Sequence, residues 1–164
     1  GDTIGDAPWV LVGALTRGDF PLETLSALTA RGHRLALDAQ GLVRHALVGP
    51  LVSDGTVDRA VLGHITALKL NDEEAEQLCG GTDEVALRTL GIPEVVLTLG
   101  SEGALIISGA VAAHVDAVPV DGPVDPTGAG DSFLLSYAVA RQRGFEPHEA
   151  GAIASRFVST IIAR

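Results

Sequence analysis

The chain has 164 residues, enough for one domain with its own core, and 46% of them are hydrophobic against 4% aromatic. A core drawn from Ala, Val, Leu and Ile, with 20 glycines for turns, suits a parallel α/β domain. The formal charge of −10 argues against a nucleic-acid or anionic-membrane surface, no apolar run would span a bilayer, and the single Cys79 can form no internal disulfide, which fits the cytoplasm.

Gly1 to Pro8 is polar and lacks the basic start and apolar stretch of a signal peptide; it reads as an extended entry or the remnant of a connection to absent sequence. Val10 to Leu15 reads as a buried strand. Pro21 then opens a helix to about Ala30, with Gly32 as its stop. Arg34 to Asp38 is a strand, Thr56 to Gly63 a helix with Asp54 as its cap, and Ile65 to Leu70 a strand running into Asn71. Asp72 to Leu78 and Asp83 to Leu90 are helices ended by glycines, and Glu94 to Leu99 is a strongly β-branched strand. Ala104 to Ile107 and Val111 to Val115 form a hairpin across Ser108-Gly109. A helix runs through Leu134 to Arg143, and Pro147 to Ile162 is the last one. Strands alternating with helices imply a mostly parallel sheet with right-handed crossovers, edged by the antiparallel hairpin. Ligands then bind beyond the carboxyl ends of the strands, so the loops at Asp38, Asn71 and Gly100 should converge.

The chemistry concentrates in Asp125-Pro126-Thr127-Gly128-Ala129-Gly130-Asp131-Ser132-Phe133. Its glycines precede a helix whose apolar positions Phe133, Leu134, Tyr137 and Ala138 recur at helical spacing. Bare N–H groups at a helix start, favoured by the macrodipole, attract an anion, and Asp131 lies in the first turn beside them. An anion hole with an adjacent base is what phosphoryl transfer to a hydroxyl needs. Taken alone, Gly-Ala-Gly before a helix is equally a tight turn. No third glycine completes a dinucleotide fingerprint, and the only lysine, Lys69, follows Leu68, so there is no Walker A loop.

Asp-Pro-Thr-Gly-Ala-Gly-Asp-Ser-Phe resembles the C-terminal signature of the ribokinase/PfkB family of sugar and nucleoside kinases, and the likeness extends from about Trp9 to the end. It implies a ribokinase-like three-layer α/β/α fold over residues 9–164. Because the family's members are longer, these residues are expected to be the C-terminal portion of such a kinase domain, without the N-terminal strands, the β lid and much of the sugar-binding surface. The family's roles carry over residue by residue. Asp131 matches the general base, and the amides of Gly128, Ala129 and Gly130 match the anion hole for the γ-phosphate of ATP. Asn71 and Glu74 match an NxxE motif that orders Mg²⁺ around the phosphates; on spacing alone, they are as well the solvated first turn of a helix. Thr98, Gly100, Ser101 and Gly103 match the nucleotide loop, otherwise an ordinary turn. Asp125 and Thr127 match positions that hold a monovalent cation such as K⁺ in several members. Asp38, Gln40 and Arg44, in a phrase most like the inositol-kinase subgroup, are candidate contacts to a sugar or polyol, with myo-inositol the specific expectation.

The resemblance also allows a homodimer, and gives no nucleic acid or membrane as partner. The five histidines share no metal-ligand spacing and read as surface or turn residues, while Cys79 reads as a small hydrophobe in a helix. The alternatives to an enzyme are a nucleotide-binding module without catalysis, or an inactive fragment that lacks the lid and acceptor site.

Overall fold

The computed structural model describes residues 4–47 and 52–163; residues 1–3 of the expected entry, and residue 164, lie outside them. Four short strands pair in parallel in chain order: β1 (Trp9–Val12), β2 (Arg34–Asp38), β3 (Ala67–Leu70) and β4 (Glu94–Thr98). The hairpin β5 (Ala104–Ser108) and β6 (Val111–Val115) extends the same sheet antiparallel from β4. When consecutive strands are neighbours, crossovers of one hand put all their helices on one face. That face carries α1 (Leu22–Ala30), α2 (Gln40–Val43), α3 (Arg59–Leu62), α4 (Asp72–Cys79) and α5 (Glu84–Arg88). Leu25, Leu42, Ala75 and Leu87 of these helices pack on Leu35, Leu37, Leu68 and Leu70 of the sheet.

The opposite face is closed by α6 (Ala129–Gln142) and α7 (Pro147–Ile162). The period-two alternation of strands explains the partition: Ala36, Ala67 and Val96 point away from the leucines and meet Phe133, Leu134 and Tyr137. Alanine at two of those three places lets α6 lie close against the sheet. Helix starts follow local chemistry. Asn71 and Asp83 cap α4 and α5 by accepting from Glu74 N and Ala86 N, and Pro147 occupies the first turn of α7.

Four expectations need correction. The first strand stops at Val12 and is the edge of the sheet, so Leu11 and Leu15 are 40% and 67% exposed rather than buried. The helix expected from Thr56 starts only at Arg59, capped by Asp58, because Asp54 is taken up elsewhere: its carboxylate binds the Thr56 amide, Arg17 and His45. The polar stretch after β2 is not a loop but the single turn α2, with Gly41, Leu42 and Val43 buried. His33, expected at the surface or in a turn, directly follows the turn after α1 but is buried, its Nδ1 2.7 Å from Ala7 O. Cys79 ends α4 half-buried, and burial pushes its thiol pKa up, as befits an inert packing residue. No helix among the described residues is long and apolar enough to cross a membrane.

Candidate active site

The turn before α6 sets the geometry. Gly128 has φ 76°, a left-handed conformation that a side chain would strain, and it turns the chain into the helix. Asp125 Oδ1 accepts from Thr127 N at 3.0 Å, and Pro126 O accepts from Ala129 N at 3.0 Å. The Ala129 amide is therefore spent inside the turn, and the expected three-amide hole loses that member. The amides of Gly128, Gly130 and Asp131 donate to no acceptor among the described residues. They are the orphan donors that a helix start leaves for a ligand. Asp131, in the first turn of α6, is exposed at this end of the sheet.

Beneath that helix start lies a buried cation. Lys69, on β3, is 6% exposed and its Nζ donates to Asp38 Oδ2 at 2.8 Å. A Cβ built on Gly130 would sit 2.8 Å from Lys69 Nζ, so a side chain there would have to displace the end of the lysine. Asp38 Oδ1 accepts from Gln40 N at 3.0 Å. Each Asp38 oxygen thus holds a hydrogen bond within the protein, and the residue is 8% exposed. Gln40 opens α2 and Arg44 follows it, both half-buried near the same end of β2.

Asn71 and Glu74 realise a capping box: Asn71 Oδ1 accepts from Glu74 N at 2.8 Å, and Glu74 Oε2 accepts from Asn71 N at 2.9 Å. Glu74 is buried, and that burial pushes its carboxyl pKa up, against the Asn71 hydrogen bond and the charge of Lys69. Its other oxygen stays outside the box. One carboxylate oxygen fits an ion that keeps most of its waters, as Mg²⁺ does, and not a cation held by a protein cage. No group of three or more His, Cys, Asp or Glu side chains able to hold a metal occurs among the described residues.

The nucleotide-loop candidates meet α6 across a cleft of about 630 Å³. Thr98, Gly100, Ser101 and Gly103 line one side, Ala129, Gly130 and Phe133 another, and α7 the far wall. Gly100 and Ser101 lie in a 3-10 turn, Gly100–Glu102, right after β4. A Cβ on Gly103 would lie 2.1 Å from Val115 O, so that glycine admits the end of the hairpin rather than a ligand. The structure thus gathers the Gly100–Glu102 turn and the α6 start at one cleft, with Lys69 directly behind Gly130. Thr127 is exposed and does not line the cleft.

The model of the pfkB family carbohydrate kinases matches residues 34–164. This chain belongs to that family. A nucleoside kinase of Methanothermobacter thermautotrophicus is 37% identical over 114 residues, covering 68% of this chain and 36% of its own length. The inositol 3-kinase of Zea mays is 27% identical over 151 residues, covering 90% of this chain and 38% of its own. A pyrophosphate-dependent kinase of the ribokinase family, solved as a sulfate complex, superposes with a TM-score of 0.81 at 22% identity, over 94% of this chain and 56% of that one. The chain therefore spans between about a third and somewhat over half the length of these pfkB relatives. The superposition bears out the three-layer ribokinase-like fold with its parallel sheet and antiparallel edge.

Sequence reasoning used Lys69 only to dismiss a Walker loop. The signal was there: a sole lysine at an inward position of an otherwise apolar strand has to meet a carboxylate or a ligand. The wall formed by residues 117–122 was beyond reach, since it depends on where the segment after β6 crosses α7.

Proposed function

We propose that this chain carries the phosphoryl-donor half of an ATP-dependent kinase that moves the γ-phosphate to a hydroxyl of a sugar or polyol. The observation that carries the reading is the α6 start, where unbonded amides stand over the buried Lys69 ammonium at the end of a cleft large enough for a nucleotide. A cation beside a helix N-terminus is a like-charge arrangement, and an incoming polyanion relieves it.

In this reading the Gly130 and Asp131 amides, with that of Gly128, bind the phosphate oxygens on which charge develops. Lys69 adds a fixed positive charge behind them and Asp38 keeps it in place. Asp131 accepts the proton of the acceptor hydroxyl as its oxygen attacks. Bound Mg²⁺ would neutralise the donor phosphates, with Glu74 and Asn71 ordering its waters. A monovalent cation such as K⁺ would use Asp125 and Thr127. Gln40 and Arg44 remain for the acceptor, and the match of the maize inositol 3-kinase across most of the chain makes myo-inositol the first acceptor to try.

The test is turnover of ATP by the complete enzyme with myo-inositol, ribose, fructose and adenosine. Phosphorylation of one of them, with myo-inositol preferred, supports the proposal. A clear preference for another of the four rejects inositol but keeps the kinase. The part of the relatives' length that this chain covers favours a second reading for the chain by itself, a nucleotide-binding module without turnover. Calorimetric ATP binding by the chain alone, with no phosphorylation of any acceptor, would establish that reading.

A further inference from the structure

The backbone that carries Arg44 is weak by itself. Arg44 follows α2, a helix of 4 residues, too short to persist without outside support. It then runs into a ribbon in which His45 N donates to Val52 O at 2.9 Å and Asp54 N to Val43 O at 3.0 Å, with Arg44 opposite Ser53. Two paired strands alone are marginal in water, and Leu47 and Val52 of this ribbon are exposed rather than packed on the core.

Arg17 fastens both pieces. It stands in the turn after β1, which Asp19 closes by accepting from Leu15 N and Thr16 N, each at 2.9 Å. Arg17 Nε donates to Leu42 O at 2.8 Å and Nη2 to Val43 O at 3.3 Å, carbonyls of the last turn that a helix leaves without an internal donor. Nη2 also donates to Asp54 O and to Asp54 Oδ1, each at 2.9 Å, on the other limb of the ribbon. The Arg17 amide donates to Arg44 O at 2.8 Å. One residue thus ties the backbone on both sides of Arg44. A lysine cannot replace it, because a point-like ammonium lacks the planar fork that reaches several oxygens at once. The Arg44 side chain is half-buried. Burial raises the Glu74 carboxyl pKa, and the Asn71 hydrogen bond and the charges of Lys69 and Arg44 oppose that rise, so the charge that Arg17 steadies is felt at Glu74.

We infer that Arg17 is a positioning residue for the acceptor, acting through Arg44, whose place it sets. The inference rests on the reading of Arg44 as an acceptor contact and goes on to name what holds that contact in place. A small misplacement of a binding group costs affinity or rate even when the displaced residue is intact. Among the described residues the side-chain hydrogen bonds of Arg17 go to α2 and the ribbon, and none to the α6 start, so donor binding should not feel its loss.

The experiment is steady-state kinetics of the complete enzyme with ATP and whichever of myo-inositol, ribose, fructose and adenosine it phosphorylates, comparing Arg17→Lys, Arg44→Ala and the double variant. Arg17→Lys should raise KM for the acceptor about tenfold, the loss of hydrogen bonds made by a charged group. It should leave kcat and KM for ATP within roughly threefold. Arg44→Ala should raise the acceptor KM at least as much. Adding Arg17→Lys to it should raise that KM less than about threefold further, because the residue through which Arg17 works is already gone. Asp54→Asn loosens the same clamp more gently, and should give the same split at smaller size where Arg17→Lys does not fold. An unchanged acceptor KM, an equal rise in both KM values, or single effects that multiply in full in the double variant would each overturn the inference and leave the kinase reading standing. Arg44→Ala without effect on the acceptor KM would remove Arg44 from the acceptor, and this inference with it, while the donor half stands. Turnover of none of the four acceptors would overturn both.

Discussion

The two ends of the β3–β4 pair carry buried charge of opposite character, both on the face covered by α6. At the amino end, Glu94 opens β4 and is saturated: Tyr137 Oη donates at 2.7 Å, and Arg141 donates through Nε and Nη2 at 2.7–3.2 Å. Burial together with Glu94 pushes the Tyr137 phenol far up, and the hydrogen bonds to Glu94 push the Arg141 guanidinium up. At the carboxyl end, Lys69 makes one hydrogen bond, to Asp38, and lies against Gly130 and the positive pole of α6. One cluster is closed and fastens the helix. The other leaves the amides of Gly128, Gly130 and Asp131 without an acceptor among the described residues, beside an open cleft. A buried ion pair is poor evidence of function by itself; unspent capacity beside an open cleft is what distinguishes the second.

The comparison breaks most readily at Asp131. In the complete enzyme Asp131→Ala should lower kcat by roughly 10²–10⁴ while leaving the unfolding midpoint unchanged, since the side chain is exposed. A loss below about tenfold would remove it from the chemistry. Glu94→Ala should act the other way, costing about 3–5 kcal/mol in urea denaturation because the buried Tyr137 hydroxyl loses its acceptor and Arg141 its carboxylate. A cost under about 1 kcal/mol would deny Glu94 its fastening role. Replacing the second pair together, Asp38→Asn with Lys69→Met, should change stability by no more than about 1–2 kcal/mol yet weaken ATP binding about tenfold or more by calorimetry. Unchanged ATP affinity would make Lys69 structural only.

The smallest effect concerns Asp54, outside both clusters, whose carboxyl is held well below the usual 3.8 by Arg17 first, then by the Thr56 amide and His45. A depressed acid adds stability above its unfolded pKa and loses it as pH falls through the folded value. Carbon-13 titration should therefore find Asp54 still ionised at pH 3.8, where an ordinary aspartate is half protonated. A midpoint at or above that value would refute the pairing.

The legibility of this fold followed how local each determinant is. Asn71 and Asp83 accept from amides within a turn of themselves and Pro147 fixes its own φ, so the helices they open were readable to within a residue or two. The choice between Asp54 and Asp58 as a cap was not, because a partner far along the chain, Arg17, claims Asp54. Leu11 looked buried, since an apolar run does not announce that its strand is an edge. At the site, the signature around Asp131 showed the anion end. The engagement of Asp38, the commitment of the Ala129 amide and the floor made by Lys69 all depend on neighbouring strands meeting in register.

The most direct test is an amide nitrogen–proton correlation spectrum of this chain titrated with a non-hydrolysable ATP analogue and Mg²⁺. The account predicts that the amides of Gly128, Gly130 and Asp131 move and lose solvent exchange, while those of Glu94, Tyr137 and Arg141 stay where they were. Saturable binding that leaves the Gly130 and Asp131 amides unmoved would contradict it.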